Sequence, residues 1–500
     1  MTHPRRPVYD LTVNRRGFCA AGMAALVRLQ AAETPARPRV IAADRNTRDL
    51  RNSQLFLDDT WIEDTTRLKR MWNSAEILPE PVLRPEAPWE GTQIVMYGSV
   101  FKLNDEWRMY YGTYNPPQPS LFCLATSDDG IHWIRPKLNL VNFRGSKANN
   151  ILWAPEAGEK QDCPTVCHDP QDAAAPFKMM YYASHGSQTA GEYVAFSKDG
   201  IVWKPQSLPV LTNTGDRTNL MGTRDRAGKF VAYLRHRDMM KIYGARCVWR
   251  SESSDFLKWT DPELILRQDL LDDANTELYG MTGFPYADLY LGMVERWRDN
   301  PDVIEVQLAW SHDGKQWQRP LERGAFISAS FPWNKAWNTC ASNAPIQIGN
   351  ELLIYFGGRS GAHGKEFPRS YGAIGLATIV ADRFAAIQAD FVEGRLITRS
   401  MRWPGGDLVL NCSNTRYPEA HPNSKGGNIR VEIWDADQRP IPEFSGENGA
   451  EHNVISPQSG QSKPRPVRWR GDRSLRELTG RTIRPVFFLR DARLFSFRAL

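Results

Sequence analysis

The sequence predicts an all-β protein, a five-bladed β-propeller followed by a C-terminal β-sandwich. Three observations carry that expectation. The pattern Ser-x-Asp-x-x-x-Trp occurs four times, at Ser127 to Trp133, Ser197 to Trp203, Ser253 to Trp259 and Ser311 to Trp317, with successive serines 70, 56 and 58 residues apart. A unit repeated at such a period buries its apolar face only against its neighbours, as in solenoids and propellers. Five short aromatic and β-branched runs bounded by Asp, Gly, Asn and Pro read as strands, one more than the turn motifs. From about residue 400 the chain changes to strand-like runs separated by Gly/Pro/Asn/Ser loops, which suits a sandwich beside the propeller.

Taken in chain order, residues 1–36 read as an address label. Asn14-Arg15-Arg16-Gly17-Phe18 precedes a weak Ala/Leu/Met run ending near Ala32. Twin arginines before such a run resemble a Tat export signal, and the run is too short for a membrane span. The expected location is therefore periplasmic or extracellular. Apart from Cys19, six cysteines are spread over the chain with no Cys-x-x-Cys pair, so neither a disulfide scaffold nor a zinc or redox site is expected. The formal net charge of +6 forms no long basic run, which argues against nucleic acid as a partner. The 17 Trp, 16 Tyr and 21 Phe are mostly core material, with a minority available as platforms for sugar rings.

Residues 50–395 form the expected propeller. Each unit reads as strand A, strand B, strand C running into the Ser/Asp turn, and strand D carrying the Trp. The B strands are centred on Trp107 to Tyr111, Phe177 to Tyr182, Phe230 to Leu234, Leu289 to Met293 and Leu352 to Phe356. In the fifth unit Gly375 to Thr378, leading to Asp382-Arg383-Phe384, replaces the turn motif. In the turns, Gly supplies positive φ and Asp bonds the local backbone, so Asp129, Asp199, Asp255 and Asp313 are turn formers on one face. Asp105, Asp169 and Asp225 fall in A-to-B turns on that same face. The opposite face receives the starts of A strands, with Glu90, Asp162, Asp216, Arg217, Glu277 and Asn338. It also receives the ends of B strands, with His185, His236, Glu295, Arg296 and Arg359. Carboxylates and guanidiniums gathered at one funnel are costly unless a ligand or a paired network uses them. Residues 396–500 make the sandwich, with strands expected over Gly406 to Asn411, Ile429 to Trp434, Arg484 to Leu489 and Leu494 to Arg498.

The turn motif is similar to the Ser-x-Asp-Leu-x-x-Trp turn of five-bladed propeller glycosidases, the arabinanase, levansucrase and invertase group. Tyr110-Tyr111-Gly112-Thr113-Tyr114-Asn115-Pro116 resembles their first B strand, and the order of propeller then sandwich resembles glycoside hydrolase family 32. The resemblance implies a glycoside hydrolase acting on an extracytoplasmic carbohydrate through three acids at A-strand starts. It implies Asp162, in Asp162-Cys163-Pro164, as transition-state stabiliser, and Glu277 as proton donor with a pKa raised by partial burial. The first acid is expected at position 96, which holds Met96; Glu90 is the nearest acid and Asp216 the substitute across the funnel. Glu90, Arg217, Asn219, Glu295 and Arg359 are the expected substrate-binding residues. No cofactor is implied, although the channel could hold a structural calcium ion without any ligand motif to mark it. The alternative is a lectin-like propeller that lost a catalytic acid.

Tat recognition reads the paired guanidiniums, so replacing Arg15 and Arg16 by Lys is expected to hold the protein in the cytoplasm. Fractionation of cells expressing that double variant checks this, and undiminished export would remove the Tat assignment.

Overall fold

A computed structural model describes residues 48–116, 118–155, 159–184, 190–363, 369–414, 427–452 and 463–500. The twin-arginine segment, Cys19 and His185 lie outside the described residues. Five antiparallel units account for the repeat. Blade 1 holds Ile94–Val95 and Val100–Leu103 as a broken A strand on Glu106–Thr113, then Phe122–Ser127 and Ile151–Trp153. Blade 2 is Lys160–His168, Phe177–Ser184, Gly191–Ser197 and Lys204–Pro205. Blade 3 is Asn219–Leu220, Phe230–Leu234, Val248–Ser253 and Glu263–Leu266. Blade 4 is Thr276–Tyr286, Leu289–Arg298, Val303–Ser311 and Trp317–Gln318. Blade 5 pairs Trp337–Cys340 and Ile346–Ile348 with Glu351–Arg359, which pairs with Gly372–Val380. Neighbouring blades pack against one another in sequence order, and blade 5 packs on blade 1. The fold is an all-β five-bladed propeller with a β-sandwich.

Blade 5 explains its missing turn motif. Its outer strand comes from the other end of the chain, where Glu76–Ile77 pairs with Gly372–Val380. After that third strand the chain turns at Ala381 to Phe384 and enters the sandwich as Ala385–Gln388, so no Ser/Asp turn is required. The B strands read as continuous apolar runs because both faces of a blade are covered; all five residues of Phe230–Leu234 are buried.

The four turns share one set of bonds. Asp129 Oδ1 accepts from the Ile131 and His132 amides, and Ser127 Oγ accepts from the Gly130 amide. Asp199, Asp255 and Asp313 repeat this with their own serines. The turns also join blades: Tyr355 of blade 5 donates to Gly130 O of blade 1 at 2.7 Å, and Tyr110 of blade 1 to Gly200 O of blade 2 at 3.2 Å. Arg224, in an A-to-B turn, donates to Ser254 O, which puts the two kinds of turn on one face.

The sandwich is larger than a C-terminal segment. One sheet orders Lys69–Trp72, Ala385–Gln388, Arg493–Ala499, Leu408–Ser413 and Arg465–Pro466, with Gln54–Leu55 on Arg493–Ala499. The other orders Ile62–Thr66, Gly394–Thr398, Thr482–Arg490, Asn428–Asp435 and Ala450–Glu451. Residues 54–72 therefore belong to these sheets, an arrangement that a linear division at residue 396 does not contain. Trp61, Trp403, Phe487 and Phe497 fill the space between them. The same N-terminal stretch grips blade 4: His312 Nε2 lies 2.7 Å from Asp58 Oδ2, and Trp310 Nε1 donates to that oxygen at 3.2 Å. The six cysteines after Cys19 are buried, as small apolar residues would be.

One turn departs from the others. Phe256 stands where they have Gly130, Gly200 and Gly314, at φ of +66°. Its ring is fully buried, with Phe230 and Trp259 at 5.0 and 5.4 Å. A left-handed non-glycine residue costs about 1–2 kcal/mol, whereas truncating a buried Phe costs about 3–5 kcal/mol. Packing wins, so Phe256→Gly is expected to lower stability by roughly 2 kcal/mol despite restoring the commoner turn residue. A urea midpoint that stays put or rises would show that backbone strain dominates instead.

Candidate active site in the funnel

The A strands of blades 2 and 4 slip register close to their starts, between Asp162 and Thr165 and between Leu278 and Gly280. Bulges of this kind re-aim side chains and concentrate near functional sites. Cys163, inside the first bulge, has φ of +49°, and its thiol donates to the Asp216 carbonyl of blade 3. The bulge turns Asp162 into a nearly closed setting, 6% exposed, beside a pocket walled by Tyr97, Phe122, Trp153, Cys163 and Tyr181. Burial pushes the Asp162 carboxyl up to about 6; Lys160, 3.3 Å away, opposes the rise, and the negative charge of Asp216 adds to it.

Asp216 is the complementary group. Burial acts to raise its carboxyl as well, but Arg235 and Lys160 outweigh it and hold the group below the usual carboxylate range. The Arg235 guanidinium donates to Asp216 Oδ1 at 2.9 Å and lies over the Tyr279 ring at 4.0 Å. Two neighbouring carboxyl groups with values driven apart, one toward the acid form and one toward the base form, are what acid–base chemistry requires.

Glu277 stands at the start of the blade 4 A strand, with one oxygen accepting from both the Arg246 amide and guanidinium, at 2.9 and 2.7 Å. Arg246 also acts electrostatically on Asp216, which ties Glu277 to the same cluster. Asp162, Asp216 and Glu277 thus face one funnel from blades 2, 3 and 4.

The other expected residues divide. Arg217 and Glu295 form a fully buried pair; Arg217 Nε and Nη2 donate to the two carboxylate oxygens, and the Cys340 amide donates to Glu295. The Arg217 guanidinium also lies 4.5 Å over Tyr97, so this pair joins four blades. A Cβ at Gly280 would lie 2.6 Å from Glu295, which is why only glycine fits there. Asn219 is buried and donates to Thr282 at 2.7 Å between blades 3 and 4. All three are buried and bonded between blades. Arg359, also buried, stacks over Trp337 at 5.1 Å and reaches the cluster. Glu90 is not in the funnel: it is fully buried, accepting from the Glu86 and Ala87 amides, Tyr111 and Arg135. Met96 is a core residue of blade 1, so the position where the resemblance expects the first acid is apolar. Of the remaining rim residues, Asn338 donates to the Ile304 carbonyl of blade 4, His236 caps the helix Arg237–Tyr243 and Arg296 pairs with Glu305.

Lys160, Arg235, Arg246, Glu192 and the stacked pair Trp337–His363, 4.4 Å apart, complete the site and escaped the sequence reading. Lys160 lies two residues before Asp162 and Arg235 ends the blade 3 B strand, positions that the meander could have flagged. Glu192 is the second residue of the blade 2 strand Gly191–Ser197, another strand start that the meander could have flagged. Among the described residues no group of three or more His, Cys, Asp or Glu side chains is set to hold a metal ion. Among them, too, no helix is long and apolar enough to cross a membrane.

No protein-family model and no curated protein matches the chain. Among solved structures, one described as a glycoside hydrolase is 13% identical, covering 61% of this chain and 92% of its own at a TM-score of 0.43. A β-1,2-mannobiose phosphorylase from Listeria innocua is 12% identical, covering 62% and 98% at 0.43. An N-acetylgalactosamine deacetylase from F. plautii is 14% identical, covering 64% and 97% at 0.43. At these TM-scores the likenesses carry no argument, and the chemistry has to come from this chain's own side chains.

Glu192 gives the site a measurable pH signature. It is fully buried, Thr218 donates to one oxygen at 2.7 Å, and the other oxygen meets no donor. Burial pushes its carboxyl up to about 7. The folded protein therefore binds this proton more tightly than the unfolded chain, where a Glu titrates at about 4.3. The resulting stability is present below that value and lost as pH rises through about 7. Glu192→Gln is expected to stabilise the protein on the order of 2 kcal/mol at high pH and hardly at all in acid. Thermal melts across that range check it, and equal shifts at both ends would contradict it.

Proposed function

We propose that the protein is an exported glycoside hydrolase that cleaves a carbohydrate in the propeller funnel. The observation that carries the reading is the opposed pair Asp162 and Asp216, one carboxyl raised to about 6 and its neighbour held low by Arg235 at 2.9 Å. Paired carboxylates suit an oxocarbenium-like transition state.

The geometry supports a different division of labour from the one the resemblance implies. Asp162, desolvated, serves as the proton donor to the leaving glycosidic oxygen. Asp216 stays ionised under Arg235 and faces the positive charge that develops on the sugar as that bond breaks. Water adds at the anomeric carbon and the proton it releases returns to Asp162, while Asp216 stays ionised, which closes the cycle. Glu277 fixes Arg246 and shapes the electrostatics of the site. One observation favours the lectin-like alternative: Met96 is apolar and Glu90 is sequestered, so blade 1 contributes no acid.

A glycan panel read for both binding and reducing-end release separates the two readings. Hydrolysis is expected to fall by about 10²-fold or more in Asp162→Asn, the usual share of general acid catalysis, with binding retained. The value of kcat/KM in the wild type is expected to decline as pH rises through about 6, when Asp162 loses its proton. Binding without release would favour the lectin. A fully active Asp162→Asn, with Glu277→Gln inactive, would return the donor role to Glu277.

A further inference from the structure

One carboxyl at the funnel is matched by no cation. Lys160 stands beside Asp162, Arg235 beside Asp216 and Arg246 beside Glu277. Glu192 has no such partner. It is fully buried, and Asp216, itself negative, is the one charged group that acts on it among the described residues. Its strand neighbours are Tyr182 and Leu211, in register on either side, and blade 3 brings Thr214, Asp216 and Thr218. Arg237 is engaged with the Tyr182 hydroxyl, and His236, across a β-bridge from Thr214, caps its own helix. A carboxylate enclosed in this way, without a cation, is far costlier than the neutral acid.

The place of Glu192 decides what it can do, because Thr214 and Thr218 bracket Asp216 in the chain. The Thr218 hydroxyl donates to Glu192 Oε1 at 2.7 Å. Glu192 Oε2 and the Thr214 hydroxyl oxygen are both closed off from water and unmatched, and Thr214 acts on Glu192. A proton on Oε2 therefore gives each of those two atoms a partner. Residues 214–218 have one other hydrogen bond to blade 2 among the described residues, from the Cys163 thiol to the Asp216 carbonyl. Across blade 2, Asp162, Tyr182 and Glu192 are successive cross-strand partners and share one face. Glu192 thus ties the sheet that carries Asp162 to the segment that carries Asp216.

We propose that Glu192 is a positioning residue: as a neutral acid it clamps residues 214–218 to blade 2 and so fixes Asp216 relative to Asp162, and its ionisation opens the clamp. The role rests on the reading of Asp162 and Asp216 given above and adds a control on their geometry. Once ionised, Glu192 sets like charge against Asp216 and has no proton for Thr214, so the segment is pushed away. Burial pushes Glu192 up to about 7, above the value of about 6 for Asp162. The clamp is therefore closed in acid and opens as pH rises, after the donor has begun to lose its own proton.

Two readouts on the intact protein test the clamp. The first needs no substrate and follows the carbon-13 carboxyl shifts of labelled Asp216 and Glu192 against pH. Asp216 stays ionised, yet its shift is expected to move as pH passes about 7 in the wild type and to stay level there in Glu192→Gln. The second is the basic limb of kcat/KM. Two successive ionisations are expected to steepen its slope from about −1 to about −2 above a pH of about 7, whereas Glu192→Gln keeps the single slope. Thr218→Val cuts the clamp and leaves every carboxyl in place, so kcat is expected to fall by up to about 10²-fold with KM little changed. The proposal is overturned by an Asp216 shift that ignores the ionisation of Glu192, or by a Glu192 carboxyl that does not titrate in this range. An equally steep limb in wild type and Glu192→Gln, or an unchanged kcat in Thr218→Val, overturns it too. If no glycan is hydrolysed, the carbohydrate reading fails by itself, and the Asp216 shift still decides whether Glu192 holds that segment.

Discussion

Every part of this structure depends on closing a ring. A blade with two apolar faces has no stable existence until a neighbour covers each of them, so four blades and a gap would leave two large apolar faces in water. Closure is made by the beginning of the chain. Glu76–Ile77 completes the fifth sheet, and the residues just before it run through both sheets of the sandwich. Tyr355 then reaches across the joint to the first blade's turn, with the same bond that Tyr110 makes one blade on. Sandwich and propeller are interwoven at this point, because the strand that closes one is continuous with strands of the other.

The site inherits its character from the ring. Asp162, Asp216 and Glu277 come from three different blades, so the packing between blades sets their electrostatic coupling, and no local segment does. Beneath them the Arg217–Glu295 pair takes full desolvation and repays it only with near-complete hydrogen bonding, including the Cys340 amide. Removing one member of such a pair leaves an uncompensated buried charge, typically about 3–5 kcal/mol. That cost pins the four blades it touches and gives the funnel a rigid floor, as a preorganised site requires.

Much of the architecture was legible because it repeats. Ser, Asp and Trp at fixed offsets encode a turn through local hydrogen bonds, and local bonds leave a local trace in sequence. The closing strand left none: in Glu76–Ile77 the first residue is exposed and the second half-buried, and the strand takes its meaning from a partner some 300 positions away. The site was legible in the same measure. The meander put Asp162, Asp216 and Glu277 at strand starts, and the structure brings them to one funnel. It could not show that Glu90 would be saturated by Arg135 and the amides of its own loop. Nor could it show which carboxyl would be raised, since that follows from a one-residue bulge at Cys163 and from charges on other blades. The proposal that Asp162 is the donor rests on that burial, which strand order alone does not show.

The central claim is that Asp162 and Asp216 are held on opposite sides of the ordinary carboxylate range by the same funnel. Carbon-13 carboxyl shifts of labelled aspartates, followed against pH and assigned with Asp162→Asn and Asp216→Asn, measure this without knowledge of any substrate. The account predicts that Asp162 titrates near 6 and that Asp216 remains ionised well below it. The reverse order, or two carboxyl groups titrating together at ordinary values, would contradict it.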